Sequence, residues 1–266
     1  MNDITIGIPL HKSANAIQLK EAIDSVIDQK LTPYEIHLIQ DGEITPEIAI
    51  ILDNYIGRKG IKHIHLKCNV GLAKALNESI KQCSTNYYAR MDADDISHPE
   101  RLQKQMNYLA QNPNIDICGT WAKDIDAKGD VLSTRKVPAN HKDIVKYIWT
   151  CPLIHPTVVF KVSSIKRVGL YNEELTRRQD YELWFRCVKA NLRFANLPEP
   201  LLLYRFTEEW FEKNNRKVIW DQVKMGWHGC NLVKAPPKAY IGITFPLIKL
   251  LIPKKVGIKL SDVIKK

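Results

Sequence analysis

The protein has 266 residues, of which 45% are hydrophobic and 26% are charged, and its net charge is +10. This composition is typical of a globular protein that buries a core, and it excludes collagen-like, coiled-coil and disordered chains. The six cysteines are scattered without a CxxC pair, which argues against structural zinc and indicates reduced thiols. The N-terminus lacks the basic and long apolar segments of a secretory signal, so we predict a cytoplasmic protein.

Strand-like and helix-like segments alternate along the first half of the chain. Short β-branched runs predict strands over 4–10, 34–40, 61–67, 86–91 and 115–121. Apolar residues at helical spacing predict helices over 16–29, 46–56, 71–83 and 99–111. This alternation favours a Rossmann-like α/β fold, with a mostly parallel sheet covered by helices on both faces. Ligands of such sheets bind beyond the carboxyl ends of the strands, here residues 9–12, 41–42, 69–71 and 92–95.

The pattern is less regular in the second half of the chain. The segment DAKGD (126–130) predicts a hairpin turn, and no glycine- or serine-rich linker divides the two halves. We predict helices over 139–149, 180–190 and 207–228, and strands over 155–160, 193–198 and 201–205. One continuous domain over 1–233 is therefore expected, with halves of about 1–121 and 122–233, followed by a tail over 234–266.

The positive charge is concentrated in this tail. Residues 234–266 contain eight lysines and a single acidic residue, Asp262. The apolar stretch over 240–253 contains Lys249 and Pro246, and it is too short and too interrupted to span a bilayer. Lysines beside apolar residues favour contact with an anionic membrane surface, and a segment folded back onto the domain is the alternative. The rest of the chain is nearly balanced in charge, which disfavours nucleic acid as a partner.

Three aspartates, Asp92, Asp94 and Asp95, follow the fourth predicted strand. Residues i and i+2 of an extended segment point the same way, so Asp92 and Asp94 would converge on one site. Carboxylates on a loop suit Mg²⁺ or Mn²⁺, and their mutual repulsion predicts a loop that settles only when a cation and a nucleotide bind. Alternatively, Asp95 or Ser97 caps a helix that begins near Pro99, although one cap explains only one side chain.

A metal site of this kind could serve phosphoryl, nucleotidyl or glycosyl transfer. The chain has no GxxxxGK[ST] motif, which excludes the P-loop route, and no GxGxxG motif after its first strand, which weighs against a dinucleotide oxidoreductase. The chain does resemble family 2 of the inverting, GT-A fold glycosyltransferases, as found in bacterial polysaccharide and lipopolysaccharide assembly. The resemblance covers about residues 3–205 and rests on six segments in order: NVGLAKALNESI (69–80), ARMDADDISHPERLQKQ (89–105), NPNIDICGT (112–120), HPTVVF (155–160), QDYELWFR (179–186) and FANLPEPLLLYR (194–205).

The resemblance implies a donor site in the first half of the chain. Asp94 would hold the Mn²⁺ or Mg²⁺ that bridges the diphosphate of a nucleotide sugar, and Asp92 would lie near the ribose and this metal. Asp41 would hydrogen-bond the uracil of a UDP-sugar. The remaining positions of the nucleotide pocket would be Pro9, Asn69 and Gly71.

The resemblance places the acceptor side in the second half. Asp180 matches the general base that takes the proton of the attacking hydroxyl, although aspartate is also a favoured N-cap for the 181–190 helix. His155 would line the acceptor side or be structural, and Trp184 would pack under the sugar or lie in the core. Arg90 would neutralise the acidic cluster or face solvent.

The resemblance therefore implies a metal-dependent inverting glycosyltransferase that moves a hexose or N-acetylhexosamine from a UDP-sugar. The acceptor would be a surface glycan or its lipid-linked precursor at the cytoplasmic face of the inner membrane. Two rivals are a nucleotidyltransferase acting on sugar phosphates and a non-catalytic basic protein that binds membrane or nucleic acid. The first needs basic residues near the first strand, where only His11 and Lys12 are available, and the second needs neither Asp94 nor Asp180.

Overall fold

The computed structural model of the protein describes residues 3–206 and 216–251. Within these ranges nine strands form one sheet in the order β3-β2-β1-β4-β8-β6-β9-β5, and β7 pairs with β6. The strands are β1 (Ile4–Leu10), β2 (Glu35–Asp41), β3 (Ile61–Leu66), β4 (Tyr87–Arg90), β5 (Ile96–Ser97), β6 (Ile117–Ile125), β7 (Val131–Arg135), β8 (Val159–Lys161) and β9 (Phe194–Arg205).

The sheet combines a parallel part with a largely antiparallel part. Strands β3, β2, β1 and β4 are parallel, so the carboxyl ends of all four lie at one edge. Strand β8 is antiparallel to β4 and β6, whereas β9 runs parallel to β6. The predicted α/β class is confirmed, and the acidic loop follows β4 at the edge where ligands of parallel sheets bind.

Helices cover both faces of the sheet, as the alternating sequence pattern predicts. Ile4, Ile6 and Ile8 are every second residue of β1, so their side chains point to the same face of the sheet. They pack in one cluster with Leu19 of the first helix. The opposite face belongs to a second cluster that contains Tyr88 of β4. The helices are α1 (Ala16–Ile27), α2 (Pro46–Asp53), α3 (Leu72–Lys81), α4 (Arg101–Gln111), α5 (His141–Lys146), α6 (Val162–Arg167), α7 (Gln179–Lys189), α8 (Arg216–Val233) and α9 (Pro237–Leu251).

The structure corrects two strand predictions. Residues 155–160 begin as a 3₁₀ turn (His155–Thr157), because the Thr157 amide and hydroxyl both donate to the carbonyl of Ile154, and β8 starts only at Val159. The two strands predicted over 193–205 are one strand, β9. A bulge opposite Thr120 lets β9 pass Pro198 without a ladder hydrogen bond from it.

The capping prediction for the helix after the acidic loop is wrong. Helix α4 begins at Arg101, two residues beyond Pro99, and no side chain caps it. Ser97 instead lies in β5, which pairs with β9. Its amide donates to Ser25 Oγ at 3.0 Å. The long-range pairing of β5 therefore determines the conformation of this segment, and helix capping does not.

The described part of the C-terminal region packs against the domain. Ala239 and Ile243 of α9 are buried in the same cluster as Tyr88, and a Cβ at Gly242 would lie 2.2 Å from the Trp149 ring. Residues 234–251 thus follow the folded-back alternative, while residues 252–266 and the first part of the predicted 207–228 helix lie outside the described residues. None of the described helices has the length and apolar character needed to cross a membrane.

Candidate functional site: an acidic loop between two cavities

The acidic loop joins β4 to β5 at the carboxyl edge of the parallel strands. Asp92, Asp94 and Asp95 each direct a carboxylate oxygen into one region, and these oxygens lie within 4.8 Å of one another. The loop is held at both ends, because the Met91 amide donates to the Gly7 carbonyl at 3.1 Å and β5 pairs with β9. The predicted convergence of Asp92 and Asp94 is confirmed, and Asp95 belongs to the same cluster.

Arg205, at the end of β9, holds the acidic loop from the opposite side. Its amide donates to Asp95 Oδ1 and its Nε donates to the Asp94 carbonyl, both at 2.8 Å. Its side chain is 2% exposed, and a further nitrogen contacts Glu21 at 2.9 Å. These contacts attach the acidic loop to β9. The prediction that the loop settles only with a cation and a nucleotide stays a prediction.

Arg90 neutralises one member of the acidic cluster. Its two terminal nitrogens donate to the two carboxylate oxygens of Asp92. The guanidinium is buried, so this ion pair is poorly screened by solvent. Of the two alternatives for Arg90, the structure shows the one in which it pairs with the cluster.

Asp94 and Asp95 form no ion pair with a basic side chain among the described residues. Burial and the neighbouring Asp92 carboxylate raise the pKa of Asp94 to about 6. Burial and the same neighbour also raise the pKa of Asp95 well above its usual range. Asp95 Oδ2 is buried and has no hydrogen-bond partner among the described residues. An unpaired buried carboxylate oxygen beside two further carboxylates fits the hard oxygen ligands that Mg²⁺ and Mn²⁺ prefer.

Asp41, at the end of β2, organises the neighbouring loop. Its two carboxylate oxygens accept hydrogen bonds from the amides of Val70, at 2.6 Å, and Gly71, at 3.0 Å. Asn69 Nδ2 also approaches the Asp41 carbonyl at 3.4 Å. Gly42 adopts a φ of +83°, and a Cβ there would lie 2.5 Å from the Asn69 amide nitrogen. The structure thus brings Asp41 together with Asn69 and Gly71, which lie 28 and 30 residues later in the sequence.

Two cavities flank the acidic loop. The first, which we call the Asp41 cavity, has a volume of about 500 Å³ and is lined by Pro9, Asp41, Asp92 and Asp94 among others. The second, the Asp180 cavity, has a volume of about 720 Å³. Asp92 lines both cavities, so they adjoin at the acidic loop. Each volume is within the range usual for small-molecule sites.

Asp180 lies in the first turn of α7 and faces the second cavity. The helix begins one residue earlier, at Gln179, and its N-cap is Arg178, so the prediction that Asp180 is the N-cap is wrong. The thiol of Cys151 donates to Asp180 Oδ2 at 3.8 Å. Burial, followed by the Asp180 carboxylate, raises the pKa of Cys151 well above its usual range, which keeps the thiol protonated. Asp180 thus has a neutral hydrogen-bond donor beside it in the wall of this cavity.

His155 lines the Asp180 cavity, whereas Trp184 lies behind it. His155 Nε2 shares a 2.8 Å hydrogen bond with the Tyr171 hydroxyl, and its ring meets Trp184 edge to face. Burial and the nearby Arg90 guanidinium lower the pKa of His155 well below its usual range, so the ring is neutral. Trp184 is fully buried in the core, so it supports the cavity wall and does not contact a ligand directly.

Sequence reasoning identified the acidic residues of this site and offered Arg90 as a partner, but it missed Arg205, Cys151 and Arg178. Arg205 ends the motif that resembles the family, and an arginine at the end of a buried strand was the available signal. The sequence gave no indication of a role for Cys151. Its contact with Asp180 depends on the 3₁₀ turn over Ile148–Thr150 and on the left-handed backbone of Cys151 itself. Arg178 directly precedes the segment QDYELWFR (179–186), but its location in the cavity wall becomes visible only in three dimensions.

This sheet, with its acidic loop between two cavities, is that of the GT-A glycosyltransferases. The model of the family described as "Glycosyl transferase family 2" matches residues 5–187, and the chain belongs to this family. The protein is therefore a glycosyltransferase, and family membership favours this prediction over both rivals.

Two relatives from Escherichia coli and one solved structure illustrate the similarity. The O-antigen biosynthesis glycosyltransferase WbnJ is 32% identical over 79% of this chain and 82% of its own length. A UDP-Gal:alpha-D-GlcNAc-diphosphoundecaprenol beta-1,3-galactosyltransferase is 30% identical over 79% of this chain and 77% of its length. The structure of S. aureus TarS 1-349 in complex with UDP-GlcNAc has a TM-score of 0.69 at 15% identity, covering 95% of this chain and 77% of that one. The last similarity concerns the fold alone.

Proposed function

We propose that the protein transfers a hexose or N-acetylhexosamine, with inversion, from a UDP-sugar to a hydroxyl of a surface glycan or its lipid-linked precursor. The 30% identical E. coli relative is named for a UDP-galactose donor and a diphosphoundecaprenol-linked acceptor, and this supports both substrate classes. The 32% identical relative is named for O-antigen biosynthesis, which supports a role in polysaccharide assembly.

The observation that carries the proposal is the position of Asp92 between the two cavities. Asp41 lines one cavity, Asp180 lines the other, and Asp92 lines both. A nucleotide in the Asp41 cavity would place its diphosphate against the acidic loop. A sugar attached to that diphosphate would then enter the Asp180 cavity, where an acceptor hydroxyl can reach its anomeric carbon.

Asp94, Asp95 and Asp92 are the residues that would hold a divalent cation. A diphosphate would be repelled by these carboxylates, and a bound Mg²⁺ or Mn²⁺ supplies the positive charge that offsets both the carboxylates and the leaving diphosphate. Because Arg90 already pairs with Asp92, the carboxylates of the described cluster that lack an ion pair are Asp94 and Asp95. We expect Asp94 to contribute most, since it lines the Asp41 cavity.

Asp180 would act as the general base. Its carboxylate would accept the proton of the acceptor hydroxyl while the hydroxyl oxygen attacks the anomeric carbon, and the bond to the diphosphate oxygen would break on the opposite side. The neutral, protonated thiol of Cys151 beside Asp180 adds no second negative charge to this site. Loss of a general base typically lowers the rate by about 10² to 10⁴-fold.

The test follows release of free nucleoside diphosphate from a panel of nucleotide sugars, with Mn²⁺ or with EDTA. We expect slow, metal-dependent UDP release from at least one UDP-sugar, and loss of this release in Asp94→Ala. Asp180→Asn should bind UDP with unchanged affinity in calorimetry but lose turnover. The exposed Asp53, on a distant helix end, provides a matched control, and Asp53→Asn should behave as wild type.

Three outcomes would contradict the proposal. Pyrophosphate as the product would indicate nucleotidyl transfer. Equal release in EDTA would refute the cation requirement. Turnover of Asp180→Asn at the wild-type rate would refute the assignment of the base.

We further propose that the basic C-terminal segment binds an anionic membrane surface at the cytoplasmic face of the inner membrane. Residues 252–266 contain five lysines and one acidic residue, and Ile241 on α9 is 71% exposed. Because α9 contributes Ile243 to the core, the informative truncation ends at Leu251 and leaves this helix in place. The truncated chain should bind vesicles containing phosphatidylglycerol more weakly than the full chain, and unchanged binding would refute the proposal.

A further inference from the structure

The two cavities differ sharply in charge. Of the described residues that line the Asp41 cavity, three are aspartates and none is lysine or arginine. The Asp180 cavity is lined by two aspartates and four arginines: Arg90, Arg135, Arg177 and Arg178, with Asp92 and Asp180. A neutral sugar acceptor does not require this positive charge, so the second cavity is suited to an anionic ligand.

We propose that Arg178 binds a phosphate or diphosphate group carried by the acceptor. This inference rests on the proposed function, and it narrows the acceptor to a sugar joined to a lipid or a glycan through a phosphate link. The site would lie in the wall of the Asp180 cavity, two residues before the proposed base.

The other three arginines of the cavity, Arg177 included, already have partners. Arg90 contacts Asp92 through both terminal nitrogens. Arg135 contacts Asp124 at 2.9 Å and stacks over the Tyr204 ring at 4.4 Å. By contrast, within residues 3–206 and 216–251 the guanidinium of Arg178 makes no hydrogen bond or ion pair. Its charge is therefore available to a ligand in the cavity.

The backbone of Arg178 supports the same conclusion. Arg178 adopts a left-handed conformation with a φ of +59°, and its side chain makes no capping hydrogen bond to α7. A left-handed residue other than glycine costs roughly 1–2 kcal/mol, and glycine would serve equally well at this helix start. The described contacts of Arg178 do not explain why an arginine occupies this position, whereas an anion in the cavity would.

The geometry of inversion assigns the anion to the acceptor and not to the donor. In a single displacement, the attacking hydroxyl and the leaving diphosphate lie on opposite sides of the anomeric carbon. Asp180 would contact the attacking side, and Arg178 precedes Asp180 at the start of the same helix. The donor diphosphate would lie against the acidic loop, which borders the Asp41 cavity.

The guanidinium of Arg178 suits a phosphate or diphosphate group. It presents a planar fork of donors that matches phosphate oxygens. The volume of about 720 Å³ leaves room for a sugar beside the phosphate groups.

The test uses octyl diphosphate as the probe and isothermal titration calorimetry as the readout. The full chain is first saturated with UDP and Mg²⁺, so that the probe cannot occupy the nucleotide site. We expect Arg178→Gln to weaken probe binding at least tenfold and to leave UDP binding within twofold of wild type. Arg167→Gln, which removes an exposed arginine outside the cavity, should change neither.

A second variant separates binding from folding. Arg178→Gly relieves the left-handed strain, so its melting temperature should equal or exceed that of wild type while probe binding is still lost. Unchanged binding of octyl diphosphate in both variants would overturn the inference. Weakened UDP binding with unchanged probe binding would also overturn it, because the arginine would then serve the donor.

Failure of this inference can be distinguished from failure of the proposed function. If wild type binds no UDP and releases none from any nucleotide sugar, the proposed function fails. The calorimetric titration with octyl diphosphate can then be run without nucleotide, and it still measures whether Arg178 binds a diphosphate.

Discussion

Replacing Arg205 with methionine should destabilise the protein by about 3 to 5 kcal/mol. The guanidinium donates to three main-chain carbonyls, those of Asp94, Asp126 and Ala127, at 2.8, 3.1 and 3.0 Å. A hydrogen bond from a charged donor contributes about 1.5–3 kcal/mol, and part of this is recovered when water reaches the carbonyls near the surface turn. Glu21, the fourth partner, is about half exposed, so its ion pair adds little.

Urea denaturation followed by circular dichroism measures this loss. A matched control is Arg135→Met, because the ion pair of Arg135 with Asp124 is more exposed and should contribute less than about 1 kcal/mol. Arg205→Lys should fall between wild type and Arg205→Met, since one ammonium group cannot reach all three carbonyls. A loss below about 1 kcal/mol in Arg205→Met would refute the argument that this residue holds the acidic loop.

Three further predictions concern the acidic loop and its neighbours. Because the pKa of Asp94, about 6, exceeds that of an unfolded aspartate, the folded state binds the proton first. Without metal, the melting temperature of wild type relative to that of Asp94→Asn should therefore rise as the pH falls from about 7 to 5. Saturating Mg²⁺ should abolish this pH dependence in the same thermal melts. Gly42→Ala should weaken UDP binding at least roughly tenfold in calorimetry because its Cβ would strike the Asn69 amide, whereas Gly57→Ala, at an open left-handed site, should bind UDP normally. Ile243→Ser should lower the melting temperature by several degrees, since this side chain is buried against the domain.

Local sequence patterns were sufficient to predict the strands and helices whose apolar residues recur at a regular spacing. The first four strands and the helices between them follow runs whose apolar residues recur at the spacing of one element, so their order and parallel pairing were predictable. The ends of these strands then placed Asp41 and the acidic cluster at one edge of the sheet. The donor side of the candidate site could therefore be located from sequence.

The predictions that failed depend on contacts between distant segments. A capping role was predicted for Asp95 because Pro99 follows it closely. Its carboxylate instead accepts a hydrogen bond from the amide of Arg205, 110 residues later. Asp180 was considered as the N-cap of a helix over 181–190, but helix starts are commonly misplaced by one or two residues. In the structure the left-handed Arg178 is the N-cap, so the helix begins at Gln179. No local sequence pattern encodes the contact between Asp95 and Arg205 or the left-handed conformation of Arg178.

The contacts of Arg205 change how cation binding at the acidic loop should be understood. Repulsion among three carboxylates would ordinarily open a surface loop, and binding a cation would then include the cost of ordering it. Here β5 pairs with β9, and Arg205 donates to the main chain of Asp94, so contacts made on folding already restrain the loop. Burial, and after it repulsion from the Asp92 carboxylate, raises the pKa of Asp94. Relief of that repulsion can therefore contribute directly to cation affinity, because little conformational freedom remains to be lost.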